Sequence, residues 1–201
     1  MTRILLACGI AAGPWFLGVA LIQGLTREPF DFTRNAISQL SLGELGWIQV
    51  ISFVITACLA IAGSIGLRQA LHGAPGGTWA PPLVAVFGAS FLVSSVFSAD
   101  PGAGFPEASD QAAVLSTTGA VHMAGATVGF LSLCAAFVVM GRYFAARGER
   151  GWAIASRLVP VGVLAGFAAS SATVLAFTAG AGLGFIWLAV VSVRVRATVN
   201  A

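Results

Sequence analysis

Six apolar stretches, each about as long as a bilayer crossing, divide this chain, and the charges between them change character from gap to gap. A spanning helix takes about 20 mostly apolar residues. The stretches cover residues 4–25, 47–67, 80–99, 119–141, 158–177 and 179–195. In hydrocarbon a segment must satisfy its own backbone, so single stretches of this kind are helices. The expected fold is all-α: a six-helix transmembrane bundle, forming a single integral membrane domain over residues 1–201. Only 8% of the residues are charged and mean hydropathy is +0.93, whereas a soluble domain carries about 25% charge. Such a chain has too little charge to wet its own surface. The sixth stretch is the shortest, and the small residues Ala179 to Gly182 are expected to turn the chain between the last two helices.

The charges then orient the bundle. Arg3 precedes the first stretch, and Arg68 and His72 follow the second. Arg142, Arg147, Arg150 and Arg157 lie between the fourth and fifth, and Arg194 and Arg196 close the last. The alternate gaps carry Arg27 and Arg34 together with Glu28, Asp31, Glu44, Asp100, Glu107 and Asp110. The positive-inside rule puts both termini in the cytoplasm. The pI near 9.2 therefore reports topology, and no nucleic-acid partner is expected. Arg3 stands too close to Cys8 to leave room for a signal peptide's apolar region, so the first stretch reads as a retained helix.

Gly9/Gly13, Gly125/Gly129 and Gly162/Gly166 carry the Gly-x-x-x-Gly spacing that lets helices approach closely in lipid. They are expected to pack helices within the bundle, with a dimer interface as the alternative. Cys8, Cys58 and Cys134 lie in apolar stretches and read as small packing residues.

Two gaps on the acidic side are long enough to carry polar structure. Residues 31–40 read as a short helix with Thr33 as its N-cap and Ala36, Ile37 and Leu40 on one face. Arg34 is expected to pair locally with Asp31. In the second gap Asp100-Pro101 ends the third stretch, and His122 sits about one turn into the fourth. An acid and an imidazole at the edge of hydrocarbon are each costly alone. Asp100 and His122 are therefore expected within hydrogen-bonding or one-water distance. They are the candidate catalytic residues, as an acid–base pair or a partial metal site, and a structural tie is the competing reading. Asn35 and Ser38 join them as candidate ligand-binding residues.

Other chemistry is excluded. His72 and His122 fall on opposite sides, about 30 Å apart, too far to share one haem. A zinc site wants three protein ligands, so no metal and no cofactor are expected. Ser38 has no sequence-local base. No acid lies mid-helix, which argues against a proton-coupled carrier. Ser52, Thr56, Ser90, Ser94, Ser95, Thr127, Ser132, Ser170, Ser171 and Thr173 could line a polar route, but bonds back to their own helices explain them equally well.

Asn35-x-Ile37-Ser38-x-Leu40 after the first helix, Asp100-Pro101 after the third and Gly119-x-x-His122 opening the fourth together resemble the bacterial multi-pass membrane family called domain of unknown function 998. The resemblance covers nearly the whole chain. It implies six helices in a bacterial cytoplasmic (plasma) membrane and points to the same Ser-containing segment, Asp-Pro and His. A Glu-Arg pair that the family carries near its last helix is replaced here by Gly182-Leu183-Gly184, so any role of that pair does not carry over. The family name assigns no reaction.

The leading expectation is a membrane protein that binds a lipid headgroup or small polar ligand in an outward-facing polar pocket. The alternatives are a lipid-modifying enzyme using Asp100 and His122, and a transporter or transporter subunit. Expected partners are membrane lipid and either a second copy or another membrane protein.

Overall fold

The computed structural model describes residues 1–106 and 115–199. Among these it contains six α-helices and no strands: α1 (Thr2–Thr26), α2 (Gly46–Ala70), α3 (Ala80–Val96), α4 (Thr117–Ala146), α5 (Arg150–Ala168) and α6 (Val174–Thr198). Five of the helical segments are long and apolar enough to cross a membrane, and α3, at 17 residues, is shorter. They mark the chain as an integral membrane protein. Each helix packs on the next in sequence, and α6 returns to pack on α1, so the six close into a ring. One end of the ring carries the chain termini and the α2–α3 and α4–α5 connections; call it the terminal end. The other, the loop end, carries the α1–α2, α3–α4 and α5–α6 connections.

Helix boundaries follow local chemistry. Pro81 sits in the first turn of α3, where a missing N–H costs nothing. Ser116 caps α4 by accepting from the Gly119 N–H at 3.0 Å, and Thr173 caps α6 by accepting from Leu175 N–H at 3.3 Å. Pro14 and Pro160 lie inside α1 and α5.

The last two helices depart from the sequence reading. The break falls at Ala169–Thr173, not at Ala179–Gly182, and α5 starts at Arg150, not near 158. Gly180 does not turn the chain; it lets α6 approach α5, where its Cβ would stand 3.2 Å from Gly166 Cα. Arg157, read as loop, lies on α5 and lays its stem against Gly141 of α4. The shortest crossing is α3, and the sixth helix runs a full 25 residues. The short helix expected around residues 31–40 is a 3-10 turn over Ile37–Ser41, with Ala36 before it in place of Thr33. Thr33 instead donates its backbone N–H and hydroxyl to the Asp31 carboxylate at 2.8 and 2.7 Å.

The glycine pairs pack inside the ring. A Cβ on Gly13 would stand 3.0 Å from Phe185 of α6, one on Gly125 would stand 2.9 Å from Val93 of α3, and one on Gly129 would collide with Ser90. Gly9 and Gly63 bring α1 and α2 together backbone to backbone: a Cβ on Gly63 would lie 2.6 Å from Gly9 Cα. With the helices this close, the ring is filled along its axis by phenylalanines. Phe16, Phe53, Phe87, Phe91, Phe130 and Phe185 form a continuous set of ring contacts with centroids 5.0 to 6.2 Å apart. Edge-to-face pairs of this kind add about 0.5–1.5 kcal/mol each beyond area burial.

Candidate functional site

The α1–α2 connection and residues 97–106 after α3 fold over the loop end as a lid. Arg27, leaving α1, donates to the carbonyls of Leu40 and Leu42 at 2.5 and 2.7 Å and lies over the Phe105 ring. Burial of the guanidinium lowers its pKa from the usual arginine value. Asn35 is completely buried. Its amide oxygen accepts from Asp31 N–H at 2.9 Å, and its Nδ2 donates to Gly102 O at 3.1 Å. Gln39 accepts from Ala36 N–H at 3.0 Å and donates to Asp100 O at 3.1 Å. These two amides stitch one connection to the other. Asp31 pairs with Arg34 at 3.1 Å. The hydrogen bonds from Thr33, ahead of that ion pair, hold its carboxyl below the usual range.

Under the lid lies a cavity of about 400 Å³. Its wall is largely apolar, with Phe16, Phe53, Phe91, Phe130, Phe167 and Phe177 its largest side chains. This differs from the polar recess the sequence led one to expect: Asp31, Asn35, Gln39 and Asp100 are spent on the lid itself. On one flank the lining includes the exposed Met123 and Thr127 of α4 and the exposed Ser170 of the α5–α6 turn. The cavity therefore meets the bundle's surface between α4 and that turn.

Of the four candidate residues, Ser38 and His122 line this cavity, whereas Asn35 and Asp100 do not. Asp100 makes no direct hydrogen bond to His122. Its carboxylate instead accepts from Ser116 N–H at 3.1 Å and from the Ser116 hydroxyl at 2.5 Å. It lies so close to Gly119 that a Cβ there would overlap it. Asp100 thus fastens the α3 exit to the start of α4. Glu107 and Asp110 lie outside the described residues.

His122 is 3% exposed. Its ring Nδ1 sits 2.8 Å from the carbonyl of Phe97, the residue at which α3 ends in extended backbone. A carbonyl only accepts, so Nδ1 carries the proton and Nε2 keeps a lone pair. Nε2 has no protein hydrogen-bond partner among the described residues. The same holds for the hydroxyls of Ser38, Ser94 and Thr178, all on the cavity wall, and the Thr178 oxygen is fully buried. By contrast the hydroxyls of Thr56, Ser90, Ser95 and Thr127 bond back to carbonyls of their own helices. Thr178 was not singled out from sequence; nothing in the local pattern sets it apart from the back-bonded hydroxyls. Among the described residues no three His, Cys, Asp or Glu side chains are grouped to hold a metal ion.

Below the cavity, towards the terminal end, the ring is closed by the buried Leu133, Phe137, Met140 and Leu188. No curated protein and no solved structure matches the chain. One family does match, over residues 10–195, under the description protein of unknown function (DUF998). With nearly its whole length covered by that match, and with the six-helix bundle around it, the chain belongs to the DUF998 family.

Proposed function

We propose that the protein binds the apolar portion of a membrane amphiphile in the cavity under the lid, with a hydroxyl or similar donor of that amphiphile hydrogen-bonded to His122 Nε2. One observation carries this reading: His122 Nε2 and the hydroxyls of Ser38, Ser94 and Thr178, the last fully buried, stand on the wall of a largely apolar cavity with no hydrogen-bond partner among the described residues. A buried polar group left unpaired costs about 1–3 kcal/mol, and a ligand offering both hydrocarbon and a hydroxyl would offset that cost. The volume is within the range of small-molecule sites. The flank between α4 and the α5–α6 turn gives lipid a lateral way in. In this reading the protein is a binding or accessory component of a bacterial cytoplasmic membrane, with the terminal end in the cytoplasm as the arginine distribution supports. The enzyme reading rests on the bare Nε2 as a general base, without a carboxylate bonded to it.

The test uses a dansyl-labelled single-chain alcohol and purified protein in mild detergent. Wild type should bind it saturably. Ala126→Phe, which fills the cavity from α4, should abolish binding. His122→Asn should weaken it about tenfold, equivalent to about 1.4 kcal/mol. Unchanged binding by Ala126→Phe would remove the cavity as the site.

A further inference from the structure

A second recess, of about 200 Å³, opens at the terminal end between α1 and α6. Arg3, Ile10, Val193, Arg196 and Ala197 line it. Two guanidinium groups thus share a recess whose remaining walls are aliphatic. No acid lines it. The neighbouring Arg194, two residues from Arg196, is satisfied differently: its Nε donates to Glu149 at 2.9 Å and its guanidinium lies over Trp152. Glu149 is also bonded to Arg147 at 3.0 Å, so the nearby carboxylate is already occupied. Arg196 Nε, in contrast, is buried and has no hydrogen-bond partner among the described residues. A buried guanidinium N–H without an acceptor is costly, and the group it best fits is a carboxylate or phosphate taken end-on or bidentate.

We propose that Arg3 and Arg196 form a binding site for the phosphate of an anionic phospholipid in the leaflet at the terminal end, with its glycerol and upper acyl carbons lying along Ile10 and Val193. The surroundings favour a lipid over a free anion. The arginines stand at the ends of membrane-length helices, where headgroups lie, and the recess continues into apolar wall. Basic recesses between transmembrane helices have the charge to hold such headgroups. The site is separate from the cavity under the lid, so its test does not depend on that reading.

The experiment compares thermal midpoints of purified protein in a neutral detergent after adding phosphatidylglycerol, phosphatidylcholine or inorganic phosphate. Phosphatidylglycerol should raise the wild-type midpoint by several degrees more than phosphatidylcholine, and inorganic phosphate should leave it unchanged. Arg196→Gln and Arg3→Gln should each lose most of the phosphatidylglycerol increment. Arg68→Gln, an exposed arginine at the same end, should keep it. Should Arg196→Gln fail to fold, Val193→Trp provides the same decision. It starts from an exposed side chain, keeps both arginines and fills the recess, so it should lose the increment. A full increment in Arg196→Gln or Val193→Trp overturns the site. An equal response to inorganic phosphate overturns the lipid and leaves a free-anion site in its stead.

Discussion

The two ends of the ring are held together by opposite means. At the loop end, side-chain amides, Arg27 and the Asp100–Ser116 bonds build a polar lid, and beneath it the helices leave a cavity of about 400 Å³. At the terminal end, apart from the recess between α1 and α6, the interior is filled by Phe137, Met140, Phe144 and Leu188, with Trp152 and Trp187 against each other at the margin, ring centroids 5.8 Å apart and planes 33° apart. Polar bonding there is confined to the periphery, where Glu149 gathers Arg147 and Arg194. A bundle in lipid gains no stability from expelling water between its helices, so close packing is its chief resource. The interior void under the lid is therefore costly, and the lid's hydrogen bonds stand over it.

The contrast breaks most decisively if the ends face the wrong way. A reporter active only outside the cytoplasm should be active when fused after Glu44 in the lid and silent when fused after Arg147. That is an all-or-none difference in enzyme activity of the fusion. Activity after Arg147 would place the arginine-rich connection outside, and the assignment of the lid to the outer face would be lost.

Packing offers a graded test. Ala136 of α4 is fully buried in the filled half, and Ala126 of the same helix lines the cavity. Ala136→Phe should cost about 1–3 kcal/mol or more through overpacking. Ala126→Phe should cost less than about 1 kcal/mol, because the ring it adds enters existing space. Thermal midpoints of the two variants in one detergent make the comparison. Equal losses would mean that the loop end is as tightly packed as the other.

The smallest expected effect is electrostatic. Burial opposes ionisation of Glu149, yet hydrogen bonds from Arg194 and Arg147 outweigh it and hold its carboxyl below the ordinary value of 4.5. A carboxyl whose folded pKa is depressed contributes its stability above the unfolded value, and that contribution is lost as pH falls through the folded one. Stability should therefore lose up to about 1 kcal/mol below pH 4.5, since the half-exposed arginines are screened by water. Glu149→Gln should flatten that part of the profile. An unchanged slope in the variant would show that the triad contributes nothing.

How far the residues alone reveal this molecule depends on the range of the interactions involved. The crossings were legible because each rests on some twenty consecutive apolar residues, and the family could be recognised from Asn35, Ser38, Asp100 and His122. The α5–α6 break was not. Gly180 and Gly182 resemble a turn in sequence, and only the approach of Gly166 from α5 reveals that a glycine is needed for contact. The lid was half legible. Polar residues in the connections were plain, but not that Asn35 would reach Gly102, 67 residues away, and so be spent before any ligand arrives. His122 stood out in the sequence as an imidazole at the edge of an apolar stretch, and the structure buries it on the cavity wall. The direct bond it makes goes to the carbonyl of Phe97, freed because α3 stops at Val96, and not to Asp100, a contact that only the packed helix ends reveal.

The brevity of α3 reaches beyond the bundle itself. Its 17 residues rise about 25 Å, against a hydrocarbon thickness near 30 Å. Its neighbours α2 and α4, at 25 and 30 residues, exceed that thickness. Lipid beside α3 meets a shorter apolar surface, a mismatch that costs fractions of a kcal/mol per ångström however it is relieved. One flank of the ring thus has a shorter helix than its neighbours. Such unevenness is a physical reason for the flank of α3 to favour thinner patches of a laterally uneven membrane.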